Sequence, residues 1–310
     1  MTRPLLDEIR EMLHAVDAER IRRDLFYVAN DPLPCRTLNY SLPGHEKCTL
    51  YEADDFIVGI LNEGGYGIAT ETVPVQAFVR DPTVAWGFRK PLAHEPWYDA
   101  VNIVATKPGP SSSNEVVVIV AHKDSQSWLS CGPGAYDNAV GVVSLLEISR
   151  LLRGCDVART VKFLFCNEEH WPWTSVDAAQ RMAESDLDIV AVLNIDSIGG
   201  KSSADVEDGR LTSVTRFSTP EGDKLADLIA EVNDAYEIGL EQWKVEAERP
   251  NDDDGSFVNA GIAPAVLLIG SYPYADPNYH TLSDTPDKVD IENVRRATQL
   301  AAATVLTLCL

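Results

Sequence analysis

The 310-residue chain contains 45% hydrophobic and 24% charged residues, an ordinary composition for a globular protein that can bury a full core. Its formal net charge of −22 repels phosphate backbones and anionic lipid surfaces, so we expect neither a nucleic-acid nor a membrane partner. The amino-terminal segment lacks the apolar stretch of a signal peptide, and no later run reaches the ~18 apolar residues of a membrane span. These features predict a cytoplasmic protein.

The first part of the chain is predicted to be helical. Apolar residues at helical spacing indicate an amphipathic helix over 4–29, and a second helix over 51–63 ends at a Gly-Gly pair. Prolines, glycine and asparagine in DPLPCRTLNYSLPGHEK predict a loop between them. We expect residues 1–65 to form a helical part that packs on a single domain spanning residues 1–310.

The rest of the chain alternates between strand and helix patterns. Strands or extended runs are predicted at 72–80, 100–106, 115–121, 160–166, 189–195 and 264–269. Helices are predicted at 138–153, 174–186, 220–238 and 291–308. Such alternation is typical of an α/β fold with a mixed sheet whose central strands are parallel.

The six cysteines show neither a CxxC pair nor regular spacing. Cys166 lies within an apolar, strand-like run, where a buried thiol is common. We therefore expect reduced, mostly structural thiols, and a Cys35–Cys48 bridge only in an exported protein.

Polar side chains come directly after three predicted strands. His122 follows VVVIVA, Asp196 follows AVLNI, and Glu168 and Glu169 follow FLFCN. Because sites in open α/β sheets form outside the carboxyl ends of the strands, we expect these clusters to converge on one edge. Taken singly, each has a structural explanation, such as a surface histidine or a solvated pair of glutamates. Three such cases at strand ends favour a shared site.

The residue types in these clusters are those of a metal centre. Imidazole and carboxylate groups suit zinc and similar divalent ions, and two ions about 3.5–4 Å apart need a bridging carboxylate with further ligands on each side. Asp137, in GPGAYDNAVG where a glycine-rich turn leads into a helix, is either a helix N-cap or such a ligand. Two histidines, a bridging aspartate and two further carboxylates are enough for two ions.

At this point the chain resembles the M28 family of co-catalytic metallopeptidases. The motifs HKDS, GAYDN, NEE, NIDSIG and YHTLSDTPDKVD stand in the family's order and spacing over roughly residues 100–310. The earlier GHEKCTLYEADDFIVGILNEGGYG resembles the family's leading helix. The resemblance implies a mixed sheet with a parallel centre flanked by helices, in the phosphorylase/hydrolase-like architecture of zinc peptidases.

The resemblance also implies a ligand set for two divalent metal ions, above all zinc. His122 and Asp196 would hold one ion, Glu169 and His280 would hold the other, and Asp137 would bridge them. The reaction implied is hydrolysis of a peptide or small amide, above all removal of an amino-terminal amino acid.

Two further roles follow from the resemblance. Glu168 would act as general base, taking a proton from the attacking water and passing it to the leaving amine. Asp124 would hydrogen-bond the ring of His122 and fix its tautomer. The family often has a cis peptide bond after the bridging aspartate, which places one at Asp137-Asn138.

Two stretches depart from the family's pattern. Asp252, Asp253 and Asp254 stand where Ser-Asp-His is common. The resemblance therefore does not imply how the substrate end of the pocket is built. HWPWTS follows the glutamates where a Gly-Leu-rich stretch is usual. Trp171 and Trp173 within it either pack in the core or line the substrate pocket.

Three other interpretations compete with this one. The related M20 peptidases and deacylases usually carry an inserted dimerisation domain, for which there is no room between Asp196 and His280. Glutaminyl-cyclase-like acyltransferases share the fold and much of the motif set but use one zinc, so the number of bound metals separates them. A catalytically inactive binding module would lack a ligand or the base, and none is missing. The sequence leaves the oligomeric state and native metal open.

Overall fold

The computed structural model describes residues 3–110 and 113–310. The helices are α1 (Arg3–Leu13), α2 (Ala18–Ala29), α3 (Thr49–Glu63), α4 (Val140–Leu152), α5 (Thr174–Ala183), α6 (Ser203–Glu207), α7 (Pro220–Ala235), α8 (Asp252–Asn259) and α9 (Ile291–Cys309). A π-helical turn, Ala135–Ala139, leads into α4, and a 3-10 turn, Pro286–Lys288, precedes α9. Within the described ranges, none of the helices is long and apolar enough to cross a membrane.

The strands are β1 (Gly67–Ala77), β2 (Val79–Arg80), β3 (Phe88–Arg89), β4 (Trp97–Lys107), β5 (Glu115–His122), β6 (Thr160–Cys166), β7 (His170–Trp171), β8 (Asp188–Ile195), β9 (Thr212–Phe217), β10 (Glu241–Glu246) and β11 (Ala265–Ile269). Among the described residues, a nine-stranded sheet has the order β10-β9-β11-β8-β5-β6-β4-β1-β7, and β2 pairs with β3 apart from it. The central strands β11, β8, β5 and β6 are parallel, whereas β4, β1 and β7 continue the sheet antiparallel. The predicted mixed sheet with a parallel centre is confirmed.

Helices cover both faces of this sheet. On one face, α2, α4, α7 and α9 pack around the largest apolar core, which receives Val117 and Ile119 of β5. On the other face, α5 and α8 pack against Val116, Val118 and Val120 of the same strand. Because successive side chains of a strand point to opposite faces, a strand covered on both sides must be apolar throughout. This explains the uninterrupted VVVIVA segment.

The single helix predicted over 4–29 is wrong, because the chain forms two helices there. The Asp17 side chain accepts hydrogen bonds from the backbone N–H groups of Glu19 and Arg20 and so caps the start of α2. Apolar spacing alone did not reveal this cap. The helices α1, α2 and α3 contribute Ile9, Leu25 and Ile57 to the same core as α4. That packing supports our expectation of a single domain, which stays a prediction.

Besides the two-residue strands β3 and β7, two strands have no counterpart among the predictions. β9, with the sequence TSVTRF, is buried throughout although it contains threonine, serine and arginine. β10, with the sequence EQWKVE, lies at the edge of the sheet and is mostly exposed. Neither strand has the apolar run or the apolar alternation by which strands are predicted.

A disulfide joins Cys35 to Cys131, so the expectation of reduced thiols is wrong for these two residues. The partners are 96 residues apart, and no local spacing indicates the pair. The bridge ties the loop between α2 and α3 to the loop after β5. Cys48, the alternative partner in the sequence-based prediction, is a free thiol.

Candidate metal centre and active site

The carboxyl ends of β5, β6 and β8 meet at one edge of the sheet, as predicted. His122 is the last residue of β5, Glu168 and Glu169 follow β6, and Asp196 follows β8. His280 reaches the same place from the long loop between β11 and α9. The structure therefore brings together side chains from four separate parts of the chain in a single cavity.

Asp137 lies between the two histidines. Its Oδ1 is 3.2 Å from Nε2 of His122, and its Oδ2 is 3.1 Å from Nε2 of His280. Asp284 holds the turn that carries Asp137. Its carboxylate accepts hydrogen bonds from the N–H groups of Tyr136 at 2.8 Å and Asp137 at 3.2 Å. The Asp137-Asn138 peptide bond is cis, as the resemblance implied.

Each histidine has a second carboxylate beside it. Oδ1 of Asp196 lies 3.6 Å from Nε2 of His122, and Oε1 of Glu169 lies 3.5 Å from Nε2 of His280. The arrangement is thus two imidazole–carboxylate pairs with Asp137 between them. We call these the His122 half and the His280 half of the site.

Asp124 connects the two halves through backbone and ring hydrogen bonds. Its Oδ1 lies 3.3 Å from Nδ1 of His122 and accepts the N–H of Glu168 at 3.0 Å. Its Oδ2 accepts the N–H of Glu169 at 2.8 Å and lies 2.8 Å from Nδ1 of His170. The predicted contact with His122 is therefore present. The hydrogen bonds from the N–H groups of Glu168 and Glu169 to Asp124 were not predicted from the sequence.

Two residues of this network were missed at the level of the sequence. His170 is fully buried, and its Nε2 lies 3.3 Å from the N–H of Leu38, so its ring links Asp124 to the loop after α2. Gln126 donates to Oδ2 of Asp137 at 3.0 Å. Their nearness to HKDS and NEE is the only sequence signal, and it does not separate them from ordinary polar residues.

Aromatic rings surround His280. The Tyr279 ring stacks on it at a centroid distance of 3.8 Å, and the Trp128 ring meets it edge-on at 5.0 Å. Its backbone has a φ of +55°, in the left-handed region. Nδ1 of His280 is buried without a hydrogen-bond partner among the described residues. Ring packing, and not a second hydrogen bond, therefore orients this imidazole.

Glu168 points into the cavity beside both halves. Its Oε2 is buried and has no hydrogen-bond partner in the described part of the chain. Burial, followed by repulsion from Asp253 and Asp252, raises the pKa of Glu168 well above its ordinary value. A carboxyl group in this setting holds a proton more readily than one in water.

The charges of the site fit a cationic ligand. Burial alone would lower the pKa of His280, but its contacts with Asp137 and Glu169 outweigh burial and raise that pKa to about 10. Burial and the charge of Asp137 raise the pKa of Glu169 to about 7. Donor atoms of His122, Asp137 and Glu169 lie within 4.8 Å of one another. Buried carboxylates and imidazoles in this arrangement are the donors that bind zinc and similar ions.

The three aspartates at the start of α8 divide into two groups. Asp252 and Asp254 form ion pairs with the buried Arg216, at 2.5 and 3.1 Å. Asp253 accepts a hydrogen bond from the Cys166 thiol at 3.1 Å and does not line the cavity, whereas Asp252 does. Tyr274 donates to Asp252 at 2.9 Å, and its hydroxyl lies 3.3 Å from Oδ2 of Asp196.

The cavity above the site has a volume of about 240 Å³ and aromatic walls. Trp173 belongs to this wall, whereas Trp171 lies outside it and packs against the ammonium group of Lys90. Of these two tryptophans, therefore, Trp173 lines the pocket and Trp171 does not. The other aromatic residues of the lining are Phe78, Trp86, Phe88, Tyr274 and Tyr279.

Comparisons with known proteins identify the family of this chain. The model of peptidase family M28 matches residues 102–305. Leucine aminopeptidase 1 of Blastomyces gilchristii is 27% identical over 210 residues, covering 64% of this chain and 53% of that protein. Leucine aminopeptidase 1 of Fusarium vanettenii is 29% identical over 197 residues, covering 59% of this chain and 48% of that protein. The chain spans about half the length of the curated relatives it matches.

Two solved structures show the same fold. The LapA aminopeptidase of Legionella pneumophila superposes with a TM-score of 0.74 at 19% identity, covering 97% of this chain and 74% of that one. A glutaminyl cyclase of Bacteroides thetaiotaomicron bound to N-acetylhistamine superposes with a TM-score of 0.71 at 15% identity, covering 94% and 97%. The family match takes in more than half of the chain, including every residue of the two imidazole–carboxylate pairs. The chain therefore belongs to peptidase family M28.

Proposed function

We propose that this protein is a two-metal aminopeptidase that hydrolyses the first peptide or amide bond of its substrate. The observation that carries the proposal is the position of Asp137, whose two oxygens face two different histidines at 3.2 and 3.1 Å. A carboxylate placed in this way offers one oxygen to each of two ions. The similarity to leucine aminopeptidases supports the same activity.

The residues divide into two ligand sets that share Asp137. His122 and Asp196 would hold one ion, and His280 and Glu169 would hold the other. When bound, such ions acidify a water molecule and polarise a carbonyl group, and zinc is the metal that best suits these donors. The presence of two ions, and of zinc in particular, is part of the proposal.

Glu168 would move the protons of the reaction. Its buried carboxylate lies in the cavity without a hydrogen-bond partner among the described residues, and is therefore free to take a proton from the attacking water. The same oxygen would then return the proton to the leaving amine. Asp124 would act as a positioning residue, because it holds the N–H of Glu168 at 3.0 Å and the ring of His122 at 3.3 Å.

The cavity indicates which amino-terminal residues fit. The aromatic walls provided by Phe88, Trp86 and Trp173 offer apolar surface, which favours substrates with a large apolar first side chain. The substrate would be a peptide or a small amide. The cytoplasmic location expected from the sequence stays a prediction, and the Cys35–Cys131 disulfide is of a kind more common in oxidising compartments.

The test combines metal analysis with a substrate panel. The purified protein should contain two divalent ions per chain and should cleave leucyl- and phenylalanyl-arylamides, but not the same compounds acetylated at the α-amine. One ion per chain together with cyclisation of an amino-terminal glutaminyl peptide would replace the proposal by the acyltransferase alternative. Binding of metal without turnover of any compound would indicate an inactive binding module.

Glu168→Gln tests the base. The substitution keeps the size of the side chain and removes the proton acceptor, so turnover should fall by roughly 10²–10⁴-fold with unchanged metal content. Glu115→Gln is a matched control, because Glu115 begins the strand that His122 ends and its side chain pairs with Arg159 at the surface. Wild-type turnover in Glu168→Gln would show that the chemistry is elsewhere.

A further inference from the structure

Arg36 is among the largest fully buried side chains of the protein's described residues, yet the hydrogen bonds that its guanidinium group makes there go to no carboxylate. Its guanidinium group is satisfied by backbone carbonyls instead. Nε donates to Lys123 at 2.8 Å, one terminal nitrogen donates to Val28 and Pro133 at 2.8 Å, and the other donates to Gly134 at 2.7 Å. A buried arginine that donates hydrogen bonds to four backbone carbonyl groups holds the surrounding backbone in place.

The carbonyls that Arg36 holds belong to the two segments that carry His122 and Asp137. Lys123 lies between His122 and Asp124 in the sequence, so a hydrogen bond to its carbonyl holds the end of β5 in place. Gly134 begins the turn that carries Asp137, and its carbonyl also accepts the N–H of Ala139 at 3.1 Å. The rigid, planar guanidinium group of Arg36 therefore joins the backbone segment that carries His122 to the one that carries Asp137.

Further contacts strengthen the same link. The backbone N–H of Arg36 donates to the hydroxyl of Ser125 at 2.9 Å, and its carbonyl accepts the N–H of Ser125 at 2.8 Å. The neighbouring residue, Cys35, is bonded to Cys131, at the other end of the same loop.

The glycine-rich turn is shaped to fit against the arginine. Gly134 has a φ of +54°, and a Cβ there would lie 2.4 Å from the carbonyl oxygen of Asp137 and 3.2 Å from the guanidinium of Arg36. No other residue type fits this position without moving the turn. Arg36 also brings a positive charge towards Asp284, Asp124 and Asp137, and although burial lowers its pKa to about 10, it is charged at neutral pH.

We propose that Arg36 is a positioning residue that sets the distance between the segments carrying His122 and Asp137, and thereby the geometry of the ion these residues would share. This inference rests on the metal centre of the proposed function. It adds a role for a side chain that does not line the cavity and lies outside the segment matched by the family model.

The test uses Arg36→Lys, which keeps the charge and loses the planar fork, and Arg36→Met, which loses both. Metal-free protein is titrated with Zn²⁺ and with Co²⁺ against a chelator, and the absorption spectrum of the Co²⁺ form is recorded. We expect metal affinity to fall by roughly 10–100-fold in both variants, the range found for residues that orient ligands. The Co²⁺ spectrum should change, and kcat should fall more than KM rises.

Arg20→Lys is the matched control. Arg20 contacts the buried Glu147 with two nitrogens, at 2.6 Å each, and neither residue lines the cavity. This control should lower the Tm of the metal-free protein and leave metal affinity and the Co²⁺ spectrum unchanged. If the Arg36 variants behave in the same way, with lower Tm and wild-type metal binding, the positioning role is overturned.

A milder variant covers the case in which Arg36 variants do not fold. Ser125→Ala removes the hydroxyl that accepts the N–H of Arg36 and should weaken metal binding in the same direction by a smaller factor. Unchanged metal affinity in Ser125→Ala would then overturn the inference. Absence of metal binding in the unmodified protein would overturn the metal centre itself, a result that is distinct from both.

Discussion

The two halves of the site have the same donor chemistry but are built in different ways. His122 ends a buried central strand, and a carboxylate two residues later contacts its second ring nitrogen at 3.3 Å. His280 lies in a long loop, and its second ring nitrogen has no hydrogen-bond partner in the described part of the molecule. Stacking against Tyr279 and an edge contact from Trp128 hold it instead. An imidazole is thus oriented by hydrogen bonding in one half and by apolar packing in the other.

This difference predicts unequal responses to mutation. Removing a buried hydrogen-bond acceptor leaves its donors unpaired, which costs about 1–3 kcal/mol for each group. Removing one ring from an aromatic pair costs about 0.5–1.5 kcal/mol beyond the lost burial. The His122 half should therefore be the more sensitive of the two to changes in its supporting residues.

The largest effect is expected for Asp124→Ala. The substitution leaves the N–H groups of Glu168 and Glu169 and the rings of His122 and His170 without their acceptor. We expect a loss of about 3–5 kcal/mol in the free energy of unfolding, as for other buried charged partners, together with weaker metal binding. Urea denaturation of the metal-free protein measures the first effect. A loss below about 1 kcal/mol would mean that the network is not a main support of the site.

Much of the His122 half was predictable because its signals are local. His122, Asp124 and Asp196 directly follow apolar strands, so their convergence follows from the geometry of a parallel sheet. The candidate ligands named from the sequence all lie in or beside one cavity. Their roles as ligands and base stay predictions. The parallel centre of the sheet was predicted for the same reason, since buried strands have a strong apolar pattern.

The support of the His280 half was not predictable, because it depends on contacts between distant parts of the chain. Trp128 meets His280 from the loop after β5, a distant part of the chain, and nothing in the spacing of these two residues indicates the contact. Tyr279 is the sequence neighbour of His280, but adjacency alone does not indicate that the two rings stack. The ion pair between Arg216 and Asp252 joins a strand that the sequence did not predict to the start of α8. Side-chain packing of this kind is fixed by tertiary structure and has no periodic signal.

A smaller effect is expected in the pH dependence of stability. Burial and the charge of Asp137 raise the pKa of Glu169 from 4.5 to about 7 in the metal-free protein. Because the folded protein then binds the proton more tightly than the unfolded chain, this group's contribution is full at low pH and is lost as the pH rises from about 4.5 to about 7. Bound metal should abolish this loss, since the ion stabilises the charged carboxylate.

Chemical denaturation at several pH values, with and without Zn²⁺, measures the predicted slope. Asp253 and Asp254 also have raised pKa values, of about 6 and about 7, and contribute a background of the same sign. Glu169→Gln separates the two contributions, and should make the slope of the metal-free protein shallower. Parallel curves for the metal-free wild type and Glu169→Gln would contradict the prediction.

The smallest effect is expected for Tyr279→Ala, which removes the ring stacked on His280. The ring of Tyr279 lies 3.8 Å from that of His280 and 4.8 Å from that of Tyr274, at interplanar angles of 20° and 9°. Its loss should free the imidazole to rotate and weaken metal binding in this half by roughly 2–10-fold, the equivalent of one aromatic pair. Tyr279→Phe keeps the stacked ring without the hydroxyl and should bind metal as the wild type does. Stepwise metal titration of both variants distinguishes the two halves, because only the binding step of the His280 half should shift. If Tyr279→Ala weakened metal binding as much as Asp124→Ala does, hydrogen bonding would have no advantage over packing here, and the contrast between the two halves would be wrong.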